Sequence, residues 1–177
     1  GRVLSVFILD DVNSGADKIG AASRWWLHHS LTALKSSLNG ALYVTAGDAL
    51  ILLPELVKST GADAVFWNRS YEKWRIQRDT ELKSRLQDDG VEAVSSNGSL
   101  LWEPWEIAKN DGTPFKVFTP FYRRGCLAAA PPREPMPAPQ ITPMDQPPAS
   151  DITSLGLLPD QGWDEALAPH WQIGEVG

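Results

Sequence analysis

Two adjacent carboxylates, Asp10 and Asp11, close the first apolar run of this chain and are the side chains best placed to do chemistry. A carboxylate pair at a strand end can hold a divalent ion for phosphoryl transfer. Adjacent carboxylates in that position more often form the turn after the strand, because Asp bonds to nearby backbone. His28 and His29 sit about 100° apart around a predicted helix, so they cannot share one metal ion and read as helix-surface residues. Neither G-x-G-x-x-G nor G-x-x-x-x-G-K-[ST] is present, which removes the dinucleotide and P-loop fingerprints. No catalytic triad can be assembled from the spacing. The residues alone assign no catalytic group and no metal ligand.

Composition narrows the class. At 177 residues the chain has room for one ordinary domain and a tail. Its 42% hydrophobic and 21% charged content is that of a soluble globular protein. No apolar run approaches the roughly 20 residues that cross a bilayer. A net charge of −6 argues against a self-sufficient nucleic-acid binder, which needs a clustered basic face. Cys126 is the single cysteine, so there is no internal disulfide or multi-cysteine metal site, and a reducing cytoplasm suits the chain. Gly1-Arg2 leads straight into the apolar run with no initiator methionine, so the chain is expected to begin inside a longer protein.

The elements that must position these residues follow from periodicity. Val3 to Leu9 reads as a strand buried on both faces. A helix from about Gly20 to Leu38 carries one stripe of Leu27, Leu31, Leu34 and Leu38. Ala41 to Ala46 is a second strand. Asp48 can cap the next helix, which turns Leu50, Leu53, Leu56 and Val57 inward and is expected to bend or restart at Pro54. Ala64 to Trp67 is a third strand, Tyr71 to about Asp88 a helix with Trp74, Leu82 and Leu86 inward, and Val91 to Val94 a fourth strand. Such β-α-β alternation with short connections predicts an α/β fold, a doubly wound parallel sheet flanked by helices. Ligands of such sheets sit outside the carboxyl ends of the strands.

Beyond about Ala130 the pattern stops. Residues 131–150 hold eight prolines, which predicts an extended linker with no core of its own. The stretch after it, with Trp163 and Trp171, is too poor in apolar residues to form a domain. Just upstream, Lys116 to Arg123 (KVFTPFYR) reads as a strand end followed by a helix, with Thr119 as cap and Pro120 at the first helical position. Trp25-Trp26, Trp67, Trp74, Trp102 and Trp105 fall on element faces or caps, where packing rather than electron transfer is the expected role.

Four segments in register resemble the N-terminal domain of the photolyase/cryptochrome family. They are Val6-Phe7-Ile8-Leu9-Asp10 with Ala22-Ser23-Arg24-Trp25-Trp26-Leu27; Gly47-Asp48; Trp67-Asn68-x-x-Tyr71-Glu72-x-Trp74-x-x-x-Arg78-Asp79; and Asn97-x-x-Leu100-Leu101-x-Glu103-Pro104 with Gly112-x-Pro114-Phe115-x-Val117-Phe118-Thr119-Pro120-Phe121-Tyr122. The resemblance covers residues 3–125 and implies a class I-like photolyase chain truncated at both ends. Residues 1–130 are then a Rossmann-like N-terminal domain that lacks its central first strand, and 131–177 a Pro-rich linker toward an absent helical domain. A gap between the first and third strands, or a repacked sheet, follows from that loss.

The resemblance also implies a function. Family photolyases repair cyclobutane pyrimidine dimers in UV-damaged DNA by blue-light-driven electron transfer from reduced FAD to a flipped-out lesion. The absent helical domain would hold FAD and the DNA. This domain would hold an antenna chromophore, whether deazaflavin, folate or FMN, in a pocket of Phe7, Asp10, Arg24, Asn97 and Gly98. Gly98 stands where a pigment-binding relative often has Asp, which weakens the deazaflavin assignment, and Lys73 replaces a common Pro at a helix entry. The chain is expected to be monomeric and inactive alone, with KVFTPFYR as an inter-domain brace. Alternatives are a cryptochrome blue-light receptor on the same scaffold, a nucleotide-binding α/β module without photochemistry, or a fragment without activity.

Overall fold

In the computed structural model, which describes residues 1–174, the strands and helices alternate in the predicted order. They are β1 (Ser5–Leu9), α1 (Ala21–Ser37), β2 (Leu42–Ala46), α2 (Ala49–Thr60), β3 (Ala64–Asn68), α3 (Lys73–Asp88) and β4 (Glu92–Ser96). β1 pairs with β2 in parallel, from Ser5 opposite Leu42 to Leu9 opposite Ala46. β3 pairs with β4 in parallel, from Ala64 opposite Glu92 to Asn68 opposite Ser96. No ladder joins β1 to β3. The gap expected between the first and third strands is therefore present, as a cleft of about 260 Å³ lined by residues of both. It explains why β1, read as buried on both faces, is only half-buried from Ser5 to Ile8.

Each strand pair has its own core. Leu9, Leu42 and Val44 pack with Leu31 of α1, while Val57 of α2, Leu82 and Leu86 of α3 and Ala93 of β4 form a second cluster. Local chemistry sets the helix limits. Asp48 accepts from the Leu50 N–H at 2.9 Å and caps α2, and Gly61 ends it at a φ of +66°, open to glycine without strain. Pro54 neither breaks nor restarts α2. Leu50 O, the carbonyl four residues before Pro54 that the proline cannot serve, accepts from Arg85 Nη1 at 3.3 Å.

The tail departs most from expectation. Val3 N–H donates to Thr142 O and Met144 N–H to Val3 O, and Arg2 pairs with Asp145. Ser150 Oγ accepts from the Val44 N–H at 3.0 Å and donates to Leu42 O at 3.3 Å, which closes part of the outer edge of β2. Ile152, Leu155 and Leu157 then enter the first core. Residues expected to be linker thus supply three buried side chains, because the outer face of the β1–β2 pair offers apolar surface to an otherwise marginal segment. The final residues of the 131–177 segment, 175–177, lie outside the described residues.

Tail tryptophans cover α1 as well. Trp163 lies 6.3 Å from Trp25 and Trp171 5.6 Å from Trp26, between ring centroids. Trp25, about 160° around the helix from Leu27, is buried there, whereas Leu34 of the predicted stripe is exposed. His28 and His29 are half-buried with rings 5.3 Å apart, not free on the surface. Burial first, and the neighbouring His29 second, hold His28 below the usual histidine range, against the opposing pull of Asp151.

KVFTPFYR forms no strand. Val117 is the N-terminal boundary, and Phe118 to Ala128 is a succession of short helical turns with Pro120 third in line. Thr119 lies inside the first turn and caps nothing. Pro120 fits there because the first turn's N–H groups have no helical acceptor to lose.

Candidate functional site

At the carboxyl end of β1, short turns bring charged groups from three elements together. Asp10 is 7% exposed. Its Oδ1 accepts from the Val12 N–H at 3.2 Å and the Asn13 N–H at 2.9 Å, so it is the turn former its position suggested. Its Oδ2 accepts from Asn13 Nδ2 at 2.9 Å and from Arg78 Nη1 at 3.3 Å. Burial pushes the Asp10 carboxyl upward, but the bonds from Asn13 and Arg78 outweigh it and hold the group below the ordinary aspartate value. Asn13 Nδ2 also donates to Asp48 Oδ1 at 2.7 Å, tying the ends of β1 and β2 together.

Around this knot lies a cavity of about 330 Å³. Trp26 of α1 and Trp74 of α3 line it, together with Phe7, Ser14, Arg75 and Arg78. The guanidinium carbons of Arg75 and Arg78 lie 4.8 and 5.1 Å from the Trp74 ring centroid. Arg78 is further fixed by Asp79 Oδ1, which accepts from its Nε at 2.9 Å and Nη2 at 2.7 Å. Ser14 Oγ is buried with no hydrogen-bond partner among the described residues, a donor–acceptor left for a bound molecule, whereas Arg75 Nε makes no hydrogen bond but faces Glu72 Oε2 at 3.6 Å. Arg24 adjoins this wall: its Nε donates to Ile19 O at 3.1 Å, and its Nη2 pairs with Asp11.

Phe7, Asp10 and Arg24 are thus brought together, but Asn97 and Gly98 are not with them. Those two line a separate cavity of about 620 Å³ beyond β4, with Trp102, Glu103 and Arg133. Asn97 closes its own loop: Oδ1 accepts from the Leu100 N–H, and Nδ2 donates to Leu100 O, each at 2.9 Å. A Cβ at Gly98 would come within 2.2 Å of the Asn68 side chain, so an Asp cannot stand there without displacing β3's last residue. Glu103, buried, anchors the loop by accepting from Arg69 Nη2 at 2.7 Å and Tyr71 OH at 2.7 Å. The ion pair raises the Arg69 guanidinium, and burial together with the bond to Glu103 raises the Tyr71 phenol.

Trp26, Trp74, Arg75 and Arg78 were missed as site residues. Trp74 and Arg78 are four apart, so one helix face was legible in their spacing. That this face meets the end of β1 was not. Among the described residues, no cluster of three or more His, Cys, Asp or Glu gathers as a metal site.

A parallel α/β domain with an aromatic, charge-lined cavity at its strand ends is of the ligand-binding doubly wound class. The DNA photolyase family model matches residues 1–140, and the chain belongs to that family. It is 38% identical over its whole length to a deoxyribodipyrimidine photo-lyase of Agrobacterium fabrum, of which it spans 37%. It is 38% identical over 72% of its length to Cryptochrome-1 of Arabidopsis thaliana, spanning 19% of that protein. The solved structure of a class III photolyase from Agrobacterium tumefaciens superposes over the whole chain with a TM-score of 0.83 at 36% identity, again covering 37% of that protein. An archaeal photolyase from Sulfolobus tokodaii shares the fold, with a TM-score of 0.61 at 17% identity over 88% of this chain. The resemblance implied a class I-like chain; this Agrobacterium tumefaciens relative is described as a class III photolyase.

Proposed function

We propose that this chain is the antenna-side domain of a deoxyribodipyrimidine photolyase. The complete protein would repair cyclobutane pyrimidine dimers with blue light and reduced FAD, with the flavin and the damaged DNA held by a helical domain. No residue of this chain is given to FAD. The role of these residues is to hold and orient a pigment that passes excitation to the flavin.

The observation that carries the reading is the cavity beside Asp10. Two indoles supply aromatic walls, the ionised Asp10 and the Arg75–Arg78 pair supply complementary charge, and Ser14 Oγ makes no hydrogen bond among the described residues. Its volume of about 330 Å³ lies at the lower end of the roughly 300–1,000 Å³ typical of ligand pockets, a fit for one fused ring system rather than a dinucleotide. Phe7, Asp10 and the Arg24–Asp11 pair would form one side of the pigment site. Asn97 and Gly98 would enter only if the pigment reached the second cavity.

Photolyase is preferred over cryptochrome because similarity to the Agrobacterium enzyme runs through the whole chain, including the tail, whereas the Cryptochrome-1 match covers 72%. We infer a cytoplasmic, monomeric protein; Cys126 is a free thiol, and among the described residues no helix is long and apolar enough to cross a membrane. The test is light-dependent loss of thymine dimers from irradiated DNA by the full-length protein. Flavin photoreduction without dimer loss would favour the signalling reading.

A further inference from the structure

We propose that His28 is a pH-sensitive latch for the tail: with a neutral ring it leaves residues 150–157 docked on α1 and β2, and on protonation it releases them. Three residues define the face of α1 that this segment covers. His28, Leu31 and Lys35 fall on one side of the helix, at spacings of three and four. Leu31 packs with Ile152, Leu155 and Leu157 of the tail. Lys35 Nζ donates to Ser150 O at 3.0 Å. His28 stands one turn before Leu31 on that face, and Asp151 of the tail acts on its charge.

The ring cannot be charged in place without loss. His28 Nδ1 is buried with no hydrogen-bond partner among the described residues. An imidazolium carries an N–H on both nitrogens, so the charged ring has a buried donor without an acceptor whichever tautomer the neutral ring adopts. The titratable groups facing it are His29 on its own helix, with rings 5.3 Å apart, and Asp151 on the tail. His29 Nε2 is likewise buried and unpartnered, so the two nitrogens do not satisfy one another. Asp151 favours the charge, but Thr153 engages both its oxygens: Oδ1 accepts from the Thr153 N–H at 3.0 Å and Oδ2 from Thr153 Oγ1 at 2.6 Å. Lys35 acts on the same carboxylate. Burial and His29 outweigh Asp151, so the folded ring holds a proton less tightly than a solvated one. Docking is therefore at full strength above the ordinary histidine value of about 6.5 and weakens as the pH falls from there through the folded value. Opening this one segment returns Nδ1 to water at less cost than unfolding the domain.

The latch does not depend on the pigment reading, because its readout is amide exchange rather than absorption or repair. Hydrogen exchange of the full-length protein is followed from about pH 7.5 to about pH 5.5, each rate taken relative to the intrinsic rate at that pH. Protection of residues 150–157 should fall about tenfold over this range, while that of β3 and β4 stays level. His28→Gln, which cannot take the charge, should keep tail protection level throughout. Asp151→Asn keeps an acceptor for the Thr153 N–H but removes the opposing pull, so its loss on acidification should exceed that of the wild type. Tail protection that is constant or rises as the pH falls would overturn the proposal. So would a loss that His28→Gln reproduces, or an equal loss in β3 and β4. Should His28→Gln fail to fold, Asp151→Asn still decides: a loss no larger than the wild type's would contradict the latch.

Discussion

The two strand pairs solve the same problem with different materials. β3–β4 is closed by regular elements alone: α2 and α3 cover it, and Leu86 is its most buried side chain, 1% exposed. β1–β2 has α1 on its face but needs the tail to finish its core, with Ile152, Leu155 and Leu157 filling what no helix covers. Both strand ends are tied by long-range bonds, the end of β1 by Asn13 and Arg78 and that of β3 and β4 by Arg69 and Glu103, while Asn97 bonds only within its own loop. The pair that borrows from the tail for its core also takes Trp74, Arg75 and Arg78 of α3 for the charged cavity at its strand end.

The comparison can be broken at its two cores. Leu86→Ala should cost about 3 kcal/mol in chemical denaturation, the usual loss for a fully buried leucine. Leu155→Ala should cost about 2 kcal/mol, although sequence placed it in a linker. An unchanged midpoint for Leu155→Ala would return the tail to a passive role and leave the two pairs alike.

Asp10→Asn sharpens the contrast at the strand ends. It should destabilise the domain by about 1–2 kcal/mol at neutral pH, because Arg78 keeps Asp79 but loses the more buried of its two charged partners. The pH dependence follows from the sign of the shift. A lowered folded value means that the Asp10 contribution is complete above the unfolded aspartate value of about 4 and is lost as pH falls through the folded one. Melting curves of the variant should lack that part of the acid limb. Ser150→Ala should have the smallest effect, about 1 kcal/mol, by leaving the Val44 N–H without its acceptor, and exchange at Val44 should accelerate.

What could be read from sequence divides along the same line. The order of strands and helices was legible because apolar runs, the leucine stripe of α1 and Asp48 are local signals. The cleft was legible only through family resemblance. The fit of Gly98 against Asn68 depends on how β3 and β4 pair, and the burial of Leu155 on what an unfinished core leaves open. Part of the cavity wall was visible as Phe7 and Asp10, with Arg24 beside it on Asp11. The wall's other part, Trp26, Trp74, Arg75 and Arg78, comes from helix faces whose partners are set by topology rather than by neighbours in sequence.

The most direct test is the absorption spectrum of the full-length protein purified in the dark, beside that of its Trp74→Ala variant. The account predicts a pigment band in addition to flavin, absent from the variant while the flavin band stays unchanged. Flavin absorption alone in the wild type, or a pigment band that survives in Trp74→Ala, would contradict the assignment of the Asp10 cavity.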